Sequence, residues 1–309
     1  MSAFHSDTPQ HPHPQRMHTD EIAVGAPLVQ RLIARRFPQW AALPVRRLAS
    51  SGTENAMFRL GGDLVVRLPR RPAAAPDVTH EQRWLPRLGP LLPVAVPEPL
   101  GTGGPDADFP WPWSVYRWLE GRNPVAGAVA EPELLAGQLG GFVRALRRID
   151  PHDGPAAARG VPLAVRDEPT RAALARLTGR IDTAAVTALW EEALRAPAHA
   201  GPPVWAHADL SPGNVLVDGG RLSAVIDFGT AGVGDPAVDL IVAWNLLPAT
   251  ARDAFRAAVG AGDAEWARGR GWALSISLIQ LPYYQDTNPA LAENSRHVIA
   301  EILAEAGTR

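Results

Sequence analysis

The residues best suited to chemistry lie between Trp205 and Leu240. The run His207-Ala208-Asp209-Leu210-Ser211-Pro212-Gly213-Asn214 precedes a stretch patterned as a hairpin, and Ile226-Asp227-Phe228-Gly229 follows it. A carboxylate, an amide five residues later and a second carboxylate beyond a hairpin make a phosphoryl-transfer centre. One carboxylate accepts the proton of an attacking hydroxyl; the amide and the second carboxylate hold magnesium over nucleotide phosphates. The joint pattern carries the signal, because a lone His-x-Asp is usually structural. Mg²⁺ takes hard oxygen ligands from few protein groups, with phosphate and water completing its shell. An inert buried turn would have to pair three such side chains at a cost.

The spacing also implies the element that brings these groups together. Two short strands, 215–217 and 222–226, flank Asp218-Gly219-Gly220. A hairpin sets its two ends side by side, so Asn214 and Asp227 can share one metal.

Upstream, Pro27 and the i, i+4 pairs Leu28/Leu32 and Val29/Ile33 predict a helix over 26–36. Strands are expected at 45–49, 56–60 and 64–68. The polar turn Ser50-Ser51-Gly52-Thr53-Glu54-Asn55 between the first two can present backbone N–H groups to phosphate. A helical run from Thr79 to Leu88, an extended segment at 94–100 and an apolar strand at 113–119 follow, and Glu120-Gly121 is a natural hinge. The second half reads as helical, with helices near 132–149, 168–178, 182–196, 236–246, 250–260, 264–280 and 290–305. Residues 150–166, rich in Pro, Gly and Ala, read as a loop. The pattern gives an α+β chain with a disordered leader at 1–18, a nucleotide lobe at 19–119 and a catalytic, acceptor-binding lobe at 120–309. The leader holds His5, His11, His13 and His18, read as a solvated tail.

Composition narrows the classes. A net charge of −2 offers no basic footprint for nucleic acid. There is no cysteine, so disulfides and thiolate metal sites are excluded. No apolar run reaches membrane-span length and no signal peptide is visible, which points to a cytoplasmic protein. All 30 basic residues are arginine, so any task for lysine falls to arginine.

The 205–240 block resembles the aminoglycoside phosphotransferase and choline-kinase-like family, whose members share the protein-kinase fold. The match rests on the His207 to Asn214 loop, Asp227 and the run Gly234-Asp235-Pro236 to Asp239, and it extends from about Val45 to Asn245. The resemblance implies a small lobe with a β-meander and one helix, and a larger, mostly helical lobe. It implies Asp209 as catalytic base, Asn214 and Asp227 as magnesium ligands, and His207, Asp235 and Asp239 as supports of the catalytic loop. Ser51, Gly52 and Thr53 then lie over the phosphates, and the backbone of Arg117, Trp118 and Leu119 meets the adenine edge. Arg67 and Glu81 take the places of the strand cation and its helical partner, with Arg where the general kinase pattern has Lys. The phosphate loop lacks the protein-kinase Gly-x-Gly-x-x-Gly.

After Gly229, only Thr230-Ala231-Gly232-Val233 precede Gly234-Asp235-Pro236. A protein kinase needs a long activation segment there. The expected site is therefore open and fed by a small molecule: ATP or GTP as donor, and an antibiotic hydroxyl, first of all an aminoglycoside, as acceptor. A slight acidic excess in 121–309 suits a cationic acceptor. Trp272, Tyr283, Tyr284 and Asp286 lie where family members complete the acceptor site. A macrolide kinase, a metabolic kinase for choline, homoserine or a sugar, and a nucleotide-binding pseudokinase are the alternatives. The sequence leaves the oligomeric state open.

Overall fold

The computed structural model describes residues 20–48 and 54–307. The expected leader at 1–18 and the phosphate-loop residues Ser51, Gly52 and Thr53 lie outside the described residues.

The N-terminal part is one antiparallel sheet in the order β1 (Val45–Arg47), β2 (Asn55–Leu60), β3 (Leu64–Pro69), β5 (Trp113–Arg117), β4 (Pro99–Gly103). Side chains alternate across a strand, and β3, buried throughout, uses both faces. Leu64, Val66 and Leu68 pack with Phe58, Trp113 and Val115 and with Val29, Leu32 and Ile33 of α1 (Ala26–Arg36). Val65 turns the other way and joins Trp84, Leu85 and Tyr116. Each such burial stabilises by roughly 1.5–3 kcal/mol. Register does the rest: the odd-numbered face of β3 looks at α2 (Ala75–Leu88), so Arg67 meets Glu81 there. Helix α2 starts earlier than its apolar pattern suggests, because Pro76 is accepted in a first turn.

The C-terminal part is mainly helical, with α3 (Pro132–Arg147), α4 (Asp167–Arg176), α5 (Thr183–Arg195), α6 (Val242–Asn245), α7 (Arg252–Val259), α8 (Asp263–Tyr284) and α9 (Pro289–Gly307). Helix α8 has 22 residues and is buried on nearly every side between α4, α5 and α9. The run expected as a helix at 236–246 is a 3₁₀ turn, Pro236–Ile241, followed by α6. It is apolar apart from Asp239 and Asn245, a pattern that does not separate i→i+3 from i→i+4 bonding.

Two small ribbons frame the site. Strands β7 (Val215–Asp218) and β8 (Arg221–Val225) form the expected hairpin, turned by Gly219 (φ 54°) and Gly220 (φ 79°), both left-handed as a type I′ turn requires. The second ribbon, β6 (Val204–Ala206) with β9 (Gly232–Gly234), has no counterpart in the sequence reading. It ties the strand before His207 to the strand before Asp235.

The 150–166 segment is held to that second ribbon. Val233 N donates to Pro155 O (2.7 Å), Ala157 N to Val233 O (3.1 Å) and Asp235 N to Gly160 O (2.8 Å). A stretch expected as a plain loop thus lies along β9 and ends in a short turn, Leu163–Arg166.

Candidate active site

Strand β6 delivers the chain to His207, and the next residue reverses it. Ala208 sits at φ 65°, a left-handed conformation that costs a non-glycine residue about 1–3 kcal/mol. The Asp239 carboxylate holds this bend, accepting from His207 N (3.0 Å) and Ala208 N (2.8 Å). Burial raises the Asp239 carboxyl, against the opposing pull of His207 and the two backbone N–H groups.

His207 is fully buried and both its ring nitrogens are engaged. Nε2 donates to Ile226 O (3.0 Å), and Nδ1 accepts from Asp209 N (3.3 Å). With both nitrogens engaged, none is left for a substrate.

The hairpin sets Asn214 beside Asp227. Val215 pairs with Val225, and Ile226 N donates to Asn214 O (2.9 Å). Asn214 Nδ2 donates to the backbone O (2.9 Å) and Oδ2 (3.1 Å) of Asp209. Its amide oxygen is left for a cation. Asp227 has φ 66°, and its side chain is 44% exposed. Among the described residues no cluster of three His, Asp or Glu side chains forms a metal site by itself. One amide and one carboxylate at a hairpin end suit a cation that also takes phosphate and water.

Arg67 reaches this point from the sheet. Nη1 donates to Glu81 Oε1 (2.6 Å) and Nη2 to Asp227 Oδ1 (2.7 Å). Burial works to lower the Arg67 pKa, but the Asp227 and Glu81 carboxylates hold it well above its ordinary value. Burial raises Asp227, yet the charges of Arg67 and His207 and the hydrogen bonds from Arg67 and Gly229 N together keep the carboxyl below the usual range. Glu81, fully buried, also accepts from Phe228 N (2.8 Å) and from the Tyr116 hydroxyl. Burial and the Glu81 charge push that hydroxyl well above its usual pKa.

Asp235 and Arg268 form a buried two-point pair, Nε to Oδ2 at 2.8 Å and Nη2 to Oδ1 at 3.1 Å. Asp235 also caps the following turn at Ala237 N.

The structure adds residues that the motif did not indicate. Arg159, from the segment lying along β9, donates Nη1 to Asp209 Oδ1 and to Ala208 O (3.2 Å). Asn123 Nδ2 donates to Gly213 O (2.9 Å) and Val215 O (2.9 Å), and Asn245 Nδ2 to Leu210 O (2.8 Å). Asp77 of α2 packs against Gly229, where a Cβ would lie 2.8 Å from the Asp77 Cβ. Burial, partly offset by Arg67, pushes the Asp77 carboxyl up to about 6. A hint existed for one of them: Arg159 stands between an alanine run and Gly160, with no other charge between Asp153 and Arg166.

At the inter-lobe linker, Trp118 N donates to Asp63 O (2.8 Å) and Arg117 N to Glu98 O (3.0 Å), while the Arg59 guanidinium lies 3.7 Å from the Trp118 ring centroid. Leu119 follows at the end of this linker. The four expected acceptor residues do not form one patch. Trp272 is fully buried in the helical core, with the Arg166 guanidinium 5.7 Å from its ring centroid. Tyr283 lies eleven residues further along α8, about 16 Å of helix rise, and is 52% exposed. It stacks edge-on with Tyr284, and the exposed Asp286 accepts from Gln285. The charge beside Asp209 is likewise not acidic. Arg166 has no carboxylate within ion-pair reach among the described residues, and burial and then Arg159 lower its pKa.

A two-lobe, kinase-like fold that brings Asp209, Asn214, Asp227 and Arg67 together defines the class. Residues 45–272 match the model of the phosphotransferase enzyme family, APH. The chain belongs to that family, as a phosphotransferase acting on a hydroxyl acceptor. No curated protein matches it in sequence. Among solved structures, it is similar to the GDP and kanamycin complex of APH(2")-IIia: 19% identity, TM-score 0.73, covering 90% of this chain and 98% of that one. The streptomycin-ATP-APH(2")-IIa ternary complex is 17% identical, with TM-score 0.59 and coverage of 84% and 90%. The apoenzyme of macrolide 2'-phosphotransferase MphH from Brachybacterium faecium is 26% identical, with TM-score 0.61 and coverage of 88% and 97%.

Proposed function

We propose that this chain transfers the γ-phosphoryl of ATP or GTP to a hydroxyl of a small-molecule antibiotic, with an aminoglycoside as the first acceptor to test. One observation carries the reading: the carboxylate of Asp209, the amide of Asn214 and the carboxylate of Asp227 converge at one hairpin end, and Arg67 reaches Asp227 from the facing sheet. Asp209 receives the hydroxyl proton and orients the oxygen in line with the γ-phosphorus. Asn214 and Asp227 hold magnesium, which neutralises phosphate charge when bound. Arg67, braced by Glu81, offers a planar fork to the phosphates. Residues 51–53 cover those phosphates and the backbone of 117–119 meets the purine. Residues 19–119 serve as the nucleotide lobe and 120–309 as the catalytic lobe. Tyr283, Tyr284 and Asp286 form an outer rim for the acceptor, while Trp272 supports its floor through Arg166. A nucleotide-dependent enzyme of this kind works in the cytoplasm.

A macrolide acceptor is the second reading. Two features favour it: the similarity to a macrolide 2'-phosphotransferase at 26% identity, and the arginine pair 159/166 near the base, which does not attract a polycation. The test is a screen of aminoglycosides, macrolides, choline, homoserine and sugars with MgATP and MgGTP, using Asp209→Asn as the blank. Transfer to an antibiotic supports the proposal, and the preferred acceptor separates the two antibiotic classes. Transfer to a metabolite alone makes it a metabolic kinase. Nucleotide binding with no transfer to any acceptor makes it a pseudokinase.

A further inference from the structure

We infer that Arg159 is a further catalytic residue, a second cation of the phosphoryl-transfer centre, contributed by the 150–166 segment from outside the motif. The inference rests on the phosphotransferase reading above and deepens it.

Loose phosphoryl transfer gains its rate from placement and from cations aimed at the moving group. The loop that carries the base supplies none: no arginine occurs between Arg195 and Arg221, and the chain has no lysine. Arg67, the cation given above to the donor phosphates, is bonded to Glu81 and Asp227 and not to Asp209. Among the described residues, Arg159 is the arginine bonded to Asp209 itself. Its Nη1 is bonded to Asp209 Oδ1 and to Ala208 O. Its Nε and Nη2 make no hydrogen bond among the described residues, and the side chain is 28% exposed beside an Asp209 that is 31% exposed. Two donors of a rigid fork are thus presented to solvent next to the group that receives the hydroxyl. An incoming phosphoryl oxygen fits such a fork.

Its backbone is fixed rather than loose. Ala157 and Gly160, on either side of it, are bonded to Val233 and Asp235, and Asp235 is in turn locked by Arg268. The cation is therefore tied to the strand that follows Asp227 and Phe228.

In the step assigned, the acceptor oxygen forms a bond to the γ-phosphorus. The bond from that phosphorus to the β–γ bridging oxygen breaks, and its electron pair leaves on the nucleoside diphosphate. The hydroxyl proton passes to the Asp209 carboxylate. The free edge of Arg159 meets the oxygens of the transferring group, while Nη1 keeps Asp209 turned to the hydroxyl.

The test uses the full chain as Arg159→Gln, Arg159→Lys and Arg159→Ala beside wild type and Asp209→Asn. Phosphate release from MgATP and MgGTP is followed alone and with kanamycin or erythromycin. Affinity for a non-hydrolysable analogue and thermal unfolding are measured in parallel. Expected for Arg159→Gln is a fall in kcat of about 10²–10³-fold, with nucleotide affinity and melting temperature nearly unchanged. Arg159→Lys keeps part of the activity, and free guanidinium restores part of it to Arg159→Ala but none to Asp209→Asn. Undiminished kcat in Arg159→Gln overturns the inference while leaving the phosphotransferase reading intact. So does a loss that follows the melting temperature and is not recovered by guanidinium. A wild type that releases and transfers no phosphate removes the underlying reading itself.

Discussion

Asp239 holds Ala208 in a left-handed conformation: its Oδ1 accepts the Ala208 N–H at 2.8 Å while Oδ2 accepts that of His207 at 3.0 Å. A buried acid thirty-one residues away thus sets the direction in which Asp209 leaves the strand. Hydrogen bonds to a charged group contribute about 1.5–3 kcal/mol each when intact. Asp239→Ala is therefore expected to lower stability by about 3 kcal/mol and to reduce kcat more than nucleotide affinity. Urea unfolding and steady-state kinetics check this; a mutant as stable and active as wild type would show that the bend needs no brace.

The two carboxylates of the centre separate by measurement. Asp209→Asn keeps the amide contact to Asn214 but cannot take a proton, so turnover should fall by at least about 10²-fold, at the low end of general-base contributions, at unchanged nucleotide affinity. Asp227→Ala should instead abolish the magnesium dependence of nucleotide binding. Calorimetric titration with and without the metal tells the two apart.

Asp77 gives a pH signature. Its folded-state pKa of about 6 lies above the ordinary 3.8. Between those values the folded state binds more protons than the unfolded one, so this group's contribution to stability falls as pH rises from about 4 to 6. Above pH 6 the ionised carboxylate is a constant cost, reduced to about 1 kcal/mol by its partial exposure. Asp77→Asn should be more stable than wild type at pH 8 and equal to it near pH 4, read by urea unfolding at the two pH values.

The Arg268–Asp235 pair predicts a large effect on stability. Both side chains are buried, and removing one partner strands the other charge at a cost of about 3–5 kcal/mol. Arg268→Met should show that loss in thermal unfolding. Adding Asp235→Asn should recover part of it, because the stranded charge is then gone.

Residues such as Trp272 show where a sequence reading stops. An aromatic residue late in the chain suits an acceptor wall or a core equally, because a helix buried on nearly every side has little polar face to mark its outer surface. Only packing between α4, α5 and α9 distinguishes the two, and it puts Trp272 inside and Tyr283 outside. By contrast, the pairing of Arg67 with Glu81 is implied by the family resemblance, and the structure closes it at 2.6 Å.

The chain alone determined which side chains meet at the end of the hairpin and the phosphotransferase family to which they belong. These groups are eight contiguous residues, a two-glycine hairpin and a short run to Asp235, and local geometry brings such pieces together whatever surrounds them. Tertiary structure decided the partners of Asp209. Arg159 bonds it from fifty residues away, Asp239 bonds the preceding residue from thirty-one and Asn245 the next residue from thirty-five. These contacts close only when β6 pairs with β9 and the 150–166 segment lies along that ribbon. No period or spacing records such a closure, because its free energy comes from burial and backbone pairing across the whole fold rather than from the residues that meet.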